Sequence, residues 1–94
     1  MKKELIEVPK ATLDFYKYEE NSITFYEFNA TGCQPPEPMV NAMCGLSLLK
    51  RREDRLVGTF FHEPFPLYER IPVTISHEAK ELDSGDVVVT FKLA

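Results

Sequence analysis

Hydrophobic positions change their period along the chain, and each change marks an element. From Leu13 to Phe28 the chain reads LDFYKYEENSITFYEF, two aromatic and β-branched stretches around the polar break Glu19-Glu20-Asn21-Ser22. That pattern predicts a β-hairpin. Six of the aromatic residues, from a total of seven Phe and four Tyr, lie between Phe15 and Phe28, so this part must bury surface. Residues 1 to 10 carry no comparable pattern. After Phe28 comes NATGCQPPEP, turn formers followed by prolines, which suit the first turn of a helix and predict one beginning near Pro36. Met39, Ala42, Met43, Leu46 and Leu49 share one face of a 3.6-residue period, the expected core face, with Val40, Cys44 and Leu48 on a flanking stripe. Lys50, Arg51 and Arg52 are expected to close that helix, where cations complement its negative end.

The remainder alternates. Arg55 to Phe61 predicts a strand, stopped by His62-Glu63-Pro64-Phe65-Pro66, because two prolines interrupt any ladder. Leu67 to Ile71 has room for little more than one helical turn. Val73 to Ala79 and Val87 to Leu93 predict a second hairpin around Asp83-Ser84-Gly85-Asp86, with Val73, Ile75, His77 and Ala79 on one face. The order predicts a two-layer α+β fold, a βαβαββ sandwich with a four-stranded mixed sheet and both helices on one face. An extra N-terminal strand or hairpin arm would precede it. Residues 1–21 would form this extension, packed on a domain of residues 22–94. The expected core is Phe28, Met39, Met43, Leu46, Leu49, Phe60, Ile75, Val89 and Phe91. One aromatic set of the hairpin is left for the open face of the sheet, to be covered by the N-terminal arm or a partner chain.

Composition narrows the function classes. Ninety-four residues make one domain, and 44% hydrophobic with 28% charged residues is globular rather than disordered. Fifteen acids against eleven bases give a net charge of -4, which disfavours nucleic acid as a partner. No apolar run approaches a membrane span, and Lys2-Lys3 leads straight into Glu4, so the expectation is a cytoplasmic protein without a membrane contact. Cys33 and Cys44 are the only cysteines, too few for a disulfide scaffold, and both read as thiols. Two Cys and two His without a paired short spacing predict no metal site. Glycine-rich phosphate loops and nucleophile elbows are absent, and no cofactor is expected.

One motif carries a resemblance. Thr31-Gly32-Cys33-Gln34-Pro35-Pro36-Glu37-Pro38-Met39, between a strand and a helix, resembles the first loop of the TusA-like (SirA-like) sulfur carriers, whose signature is Gly-x-x-Cys-Pro-x-Pro. Gly32 matches the glycine and Pro36-Glu37-Pro38 the Pro-x-Pro, while Pro35 stands where the carrier cysteine would be. The chain is most similar to a branch of that superfamily with Pro-Pro-Glu-Pro in this loop and His-Glu-Pro-x-Pro-Leu-Tyr after the second strand, here His62 to Tyr68. The resemblance covers about residues 22 to 93 and implies the fold, but no biochemical role.

Without the carrier thiol, the implied protein is an accessory or binding domain rather than an enzyme, and has no catalytic residue. Strands one and two would be parallel neighbours, so the loops after them open at one end of the sheet. Gly32, Cys33, Pro36, Glu37, Pro38, His62, Glu63 and Tyr68 are therefore the candidate binding residues for a protein partner or a small, anionic ligand. The competing reading makes Glu37 a complement to a helix N-terminus and His62-Glu63 a polar strand end. The alternative function is sulfur relay, with a persulfide held on Cys33. The chain would act as a monomer or weak homodimer.

Overall fold

A computed structural model describes residues 2–94. Its elements in chain order are β1 (Glu4–Ile6), β2 (Phe15–Glu20), β3 (Ile23–Asn29), α1 (Glu37–Leu46), β4 (Asp54–Phe60), α2 (Phe65–Tyr68), β5 (Ile75–Glu81) and β6 (Val87–Leu93). The strands form one six-stranded sheet in the order β1-β2-β3-β4-β6-β5, with β3 and β4 parallel and every other neighbouring pair antiparallel. The α+β class stands; the four-stranded sheet does not.

The cause of that correction lies in the hairpin. Asn21 and Ser22 both adopt positive φ, at 54° and 66°, which gives a two-residue turn whose twist matches its strands. β2 is thereby paired with β3 from Tyr16 opposite Glu27 to Glu20 opposite Ile23. β2 in turn offers its outer edge to β1, where Ile6 faces Phe15. The N-terminal segment is thus two strands of the same sheet, joined by a connector whose Val8, Ala11 and Leu13 pack against the core and which leaves the opposite face uncovered.

One face is dry. Phe15, Phe28, Leu56, Phe60, Val87, Val89 and Phe91 point to it and are buried. Phe28 stacks on Phe15 at 4.9 Å and meets Phe60 edge-on at 5.7 Å, the offset and T-shaped geometries favoured by ring quadrupoles. Gly58 of β4 makes room for these rings: a Cβ there would lie 2.7 Å from Cζ of Phe28 and 2.8 Å from Cε2 of Phe60. α1 approaches the same face at Gly45, where a Cβ would meet Leu56 Cδ1 and Phe15 Cε2 at 2.8 Å. α2 covers it further along, through fully buried Leu67.

The core face of α1 is rotated from the expected stripe. Asn41, Ala42, Gly45 and Leu46 are its buried residues, while Met43 is 41% exposed and Met39 only partly buried. Close approach at Gly45 draws that side of the helix to the sheet and swings Met43 outward. Ile75 is likewise partly buried, whereas Phe28, Leu46, Leu49, Phe60, Val89 and Phe91 lie in the core.

The basic cluster is also displaced. α1 ends at Leu46, and Ser47 Oγ donates to the Cys44 carbonyl oxygen at 2.7 Å, so Lys50, Arg51 and Arg52 follow the helix instead of closing it. Arg51 turns back, donating to Thr24 Oγ1 at 3.1 Å and to Asp54 at 3.3 Å. Asp54 also accepts the amides of Lys50 and Arg51. Burial pushes its carboxyl up, but the two backbone donors and the Arg51 guanidinium outweigh that and hold it below the usual range.

The opposite face of the sheet has no covering layer among the described residues. Tyr18 and Phe25 stack there at 5.0 Å, and Lys3 reaches Glu27 at 2.6 Å while lying 5.2 Å from the Tyr18 ring centre. This face offsets its exposure by pairing apolar rings with one another and with a cation.

Candidate functional site

The parallel pairing of β3 with β4 brings Asn29 beside Thr59, and the Ala30 amide donates to the Thr59 carbonyl at 2.8 Å. The two loops therefore leave one end of the sheet together. Beyond that point the candidate residues separate into two clusters, and no hydrogen bond or ring contact between the clusters is present among the described residues.

The first cluster is the proline loop. Cys33 donates its amide to the Ala30 carbonyl at 3.2 Å and packs its half-buried side chain against the core. Gly32 is exposed, and a Cβ there would touch nothing within 4 Å. The Pro35-Pro36 peptide bond is cis, and Pro36 caps α1, its carbonyl accepting the Val40 amide at 3.0 Å. Pro38 occupies the first turn, where a missing N–H costs nothing. Glu37 accepts the Thr12 hydroxyl at 2.5 Å. Its carboxylate is thus tied to the connector between β1 and β2.

That connector is held by a residue that sequence reasoning passed over. Asn41, with no exposed surface, accepts the amides of Thr12 and Leu13 at 2.8 and 3.0 Å through Oδ1. Its Nδ2 donates to Thr12 Oγ1 and to the Glu37 carbonyl, each at 2.9 Å. Every donor and acceptor of the side-chain amide is in use, which permits its burial. Asn41 falls on the helical stripe with Ala42 and Gly45, but nothing in its type announces a partner so far away in the chain.

Burial, the nearby Glu37 charge and a hydrogen bond to that carboxylate all push the Cys33 thiol up, against the direction a persulfide carrier needs.

The second cluster is the segment after β4. Two prolines stop the strand, and the chain folds back on itself through Phe65 N to Glu63 O and Leu67 N to Pro64 O, both at 2.9 Å. Tyr68 lies flat on His77 of β5, centroids 3.7 Å apart and planes 13° from parallel, and donates its hydroxyl to Glu63 at 3.1 Å. Burial first, and then the Glu63 hydrogen bond and charge, push its phenol upward and keep it neutral. The partner of His77 is therefore an aromatic ring.

Leu67 plugs the core while the side chains around it face out. His62 is exposed with its ring 4.4 Å from that of Phe61. Phe61 and Phe65 are 60% and 63% exposed. Sequence reasoning chose neither phenylalanine as a binding residue, although Phe61 directly follows inward-facing Phe60 and must point the other way by strand alternation. Phe61 lines a shallow groove together with His62, Glu63, Ala79, Glu81 and Val87.

Among the described residues no group of three or more His, Cys, Asp or Glu side chains could hold a metal ion, and no helix is long and apolar enough to cross a membrane. Comparison with protein-family models, with curated proteins and with solved structures gave no match to this chain.

Proposed function

We propose that the chain is a TusA-like accessory domain that binds a protein partner through the segment from Phe61 to Tyr68, with the proline loop as the neighbouring rim. The observation that carries this reading is the two exposed phenyl rings of this segment, Phe61 against His62 and Phe65 edge-on to Tyr68. Large aromatic side chains presented on a segment anchored by a buried leucine and a ring stack are already ordered for contact, so binding sacrifices little conformational freedom. The family reading is further supported by the strand-helix-strand-helix-strand-strand order from β3 to β6, with the proline loop at the first strand-to-helix junction.

A protein fits this surface better than a small anion. Glu37 already supplies a carboxylate at the start of α1, so its N-terminal amides offer little to a second negative group. The groove beside His62 carries Glu63 and Glu81. Sulfur relay through Cys33 is disfavoured by the raised thiol.

Photo-crosslinking tests the proposal. With benzoylphenylalanine in place of Phe65, a discrete crosslinked partner is expected in cells, lost when His62 and Phe61 are both changed to Ser. The same probe replacing Phe25 on the opposite face should give none. Equal crosslinking from both positions, or none from residue 65, would overturn the reading. In a parallel arm, cysteine desulfurase plus cysteine should leave the intact mass unchanged; one added sulfur that disappears in Cys33→Ser would replace binding with relay.

A further inference from the structure

β5 is an outer strand, hydrogen-bonded within this chain to β6 alone. The residues from His77 to Glu81 are all exposed. In an antiparallel pair, residues alternate between turning both backbone groups toward the neighbour and turning both away. The Leu82 amide donates to the Asp86 carbonyl at 2.8 Å and the Ala94 amide to the Thr74 carbonyl at 2.7 Å, so the even-numbered residues of this strand face β6. Ile75, His77, Ala79 and Glu81 face outward. The Ile75 amide is already taken by the Pro72 carbonyl, which leaves His77, Ala79 and Glu81 with free donors for an added strand.

A second copy of this strand, arriving antiparallel, must oppose odd-numbered residues to odd-numbered ones if the outward groups are to pair. The two-fold axis then passes beside a residue, never between two. An axis at Glu78 would set two carboxylates face to face, and one at Lys80 two ammonium groups. An axis at His77 would oppose the two imidazoles and form no ion pair. An axis at Ala79 sets Glu78 of each copy opposite Lys80 of the other, and His77 of each opposite Glu81 of the other. Only this last register turns every charged residue of the edge toward an opposite charge or a hydrogen-bonding group. Charges on an edge strand usually repel a neighbour, but here their alternation is self-complementary. The other edge of the sheet, β1, is only three residues long and offers no comparable ladder.

We infer that the β5 edge is an interface for a second copy of this chain, joined antiparallel about Ala79 into one continuous sheet across a two-fold axis. The edge runs beside the groove that Phe61 shares with Ala79 and Glu81, but the pairing uses the outward backbone groups of the strand and not the Phe61 and Phe65 rings. Because an edge-to-edge contact buries little area, the dimer is weak and its population follows concentration.

Sedimentation velocity of the full chain from about 10 µM to about 1 mM tests the inference, a range suited to a small, transient interface. The wild-type chain should shift from monomer toward dimer. Glu78→Lys and Lys80→Glu should each raise the dissociation constant on the order of tenfold or more, since each turns two attractive cross-strand pairs into like-charge pairs. The double variant Glu78→Lys with Lys80→Glu restores both pairs in reverse and should recover dimerisation, which also shows that the strand still folds. A monomer throughout the range for the wild-type chain overturns the inference. So does a dimer indifferent to either single reversal, which would lie on another surface. Loss in the singles without recovery in the double variant rejects the Ala79 register.

Discussion

Leu46→Ala should destabilise the chain by about 2–5 kcal/mol, whereas Met43→Ala, three residues away on α1, should cost under about 1 kcal/mol. Leu46 is 7% exposed within the core, and Met43 is 41% exposed. Deleting the Leu46 side chain removes apolar contacts within the core cluster and leaves a cavity in close-packed surroundings that can relax only partly. Deleting the Met43 side chain returns a partly wet thioether to water and gains helix propensity. Urea unfolding of both variants gives the comparison directly. Equal losses, or a larger loss at Met43, would mean that α1 presents the Met39-Met43 side to the sheet. Such a loss from Leu46→Ala is a large part of what a domain of this length holds in total.

The contrast between those two positions shows what the amino-acid pattern carries and where it stops. Strict alternation from Val87 to Leu93 sends Val87, Val89 and Phe91 to one face, and β6 folds with those three buried. The Asn21-Ser22 break is legible because positive φ is tolerated by short polar residues. β5 begins two residues later than expected, since the Pro72 carbonyl captures the Ile75 amide in a turn, but a shift of two preserves which residues share a face. What the pattern hides are contacts that use residue types with no intrinsic signal for burial. Gly45 weakens a helix by propensity, yet Leu56 and Phe15 approach there, so its role comes from partners distant in sequence. Glu4 to Ile6 is too short to show a period, and joins the sheet because β2 presents an open edge. The candidate site divides in the same way. Parallel strands bring the two loops to one rim, as chain order implies, but Glu37 turns toward Thr12 and Glu63 toward Tyr68. Phe61 and Phe65 are the large apolar side chains that this segment leaves in solvent.

Asn41→Ala is the second large effect, with an expected loss of about 2–4 kcal/mol. The substitution favours the helix by propensity, so a loss must come from the contacts of the side chain. Without Oδ1, the amides of Thr12 and Leu13 lose their acceptor where the connector from β1 to β2 crosses α1. Without Nδ2, the Thr12 hydroxyl and the Glu37 carbonyl lose a donor. The Thr12 and Leu13 amides meet Asn41 at a part-buried contact, so without a partner they keep part of their desolvation cost, and wetting them fully peels the connector from the helix. β1 has no other neighbour than β2, so its three residues should loosen with the connector while the strands from β3 to β6 remain paired. Hydrogen exchange separates this local effect from global loss. In Asn41→Ala the amides of Thr12, Leu13 and β1 should exchange much faster relative to those of β4 and β6 than they do in the wild-type chain. A stability loss below about 1 kcal/mol together with unchanged protection at Thr12 and Leu13 would show that packing alone secures the connector, and that the Asn41 hydrogen bonds do not hold the N-terminal strands to the domain.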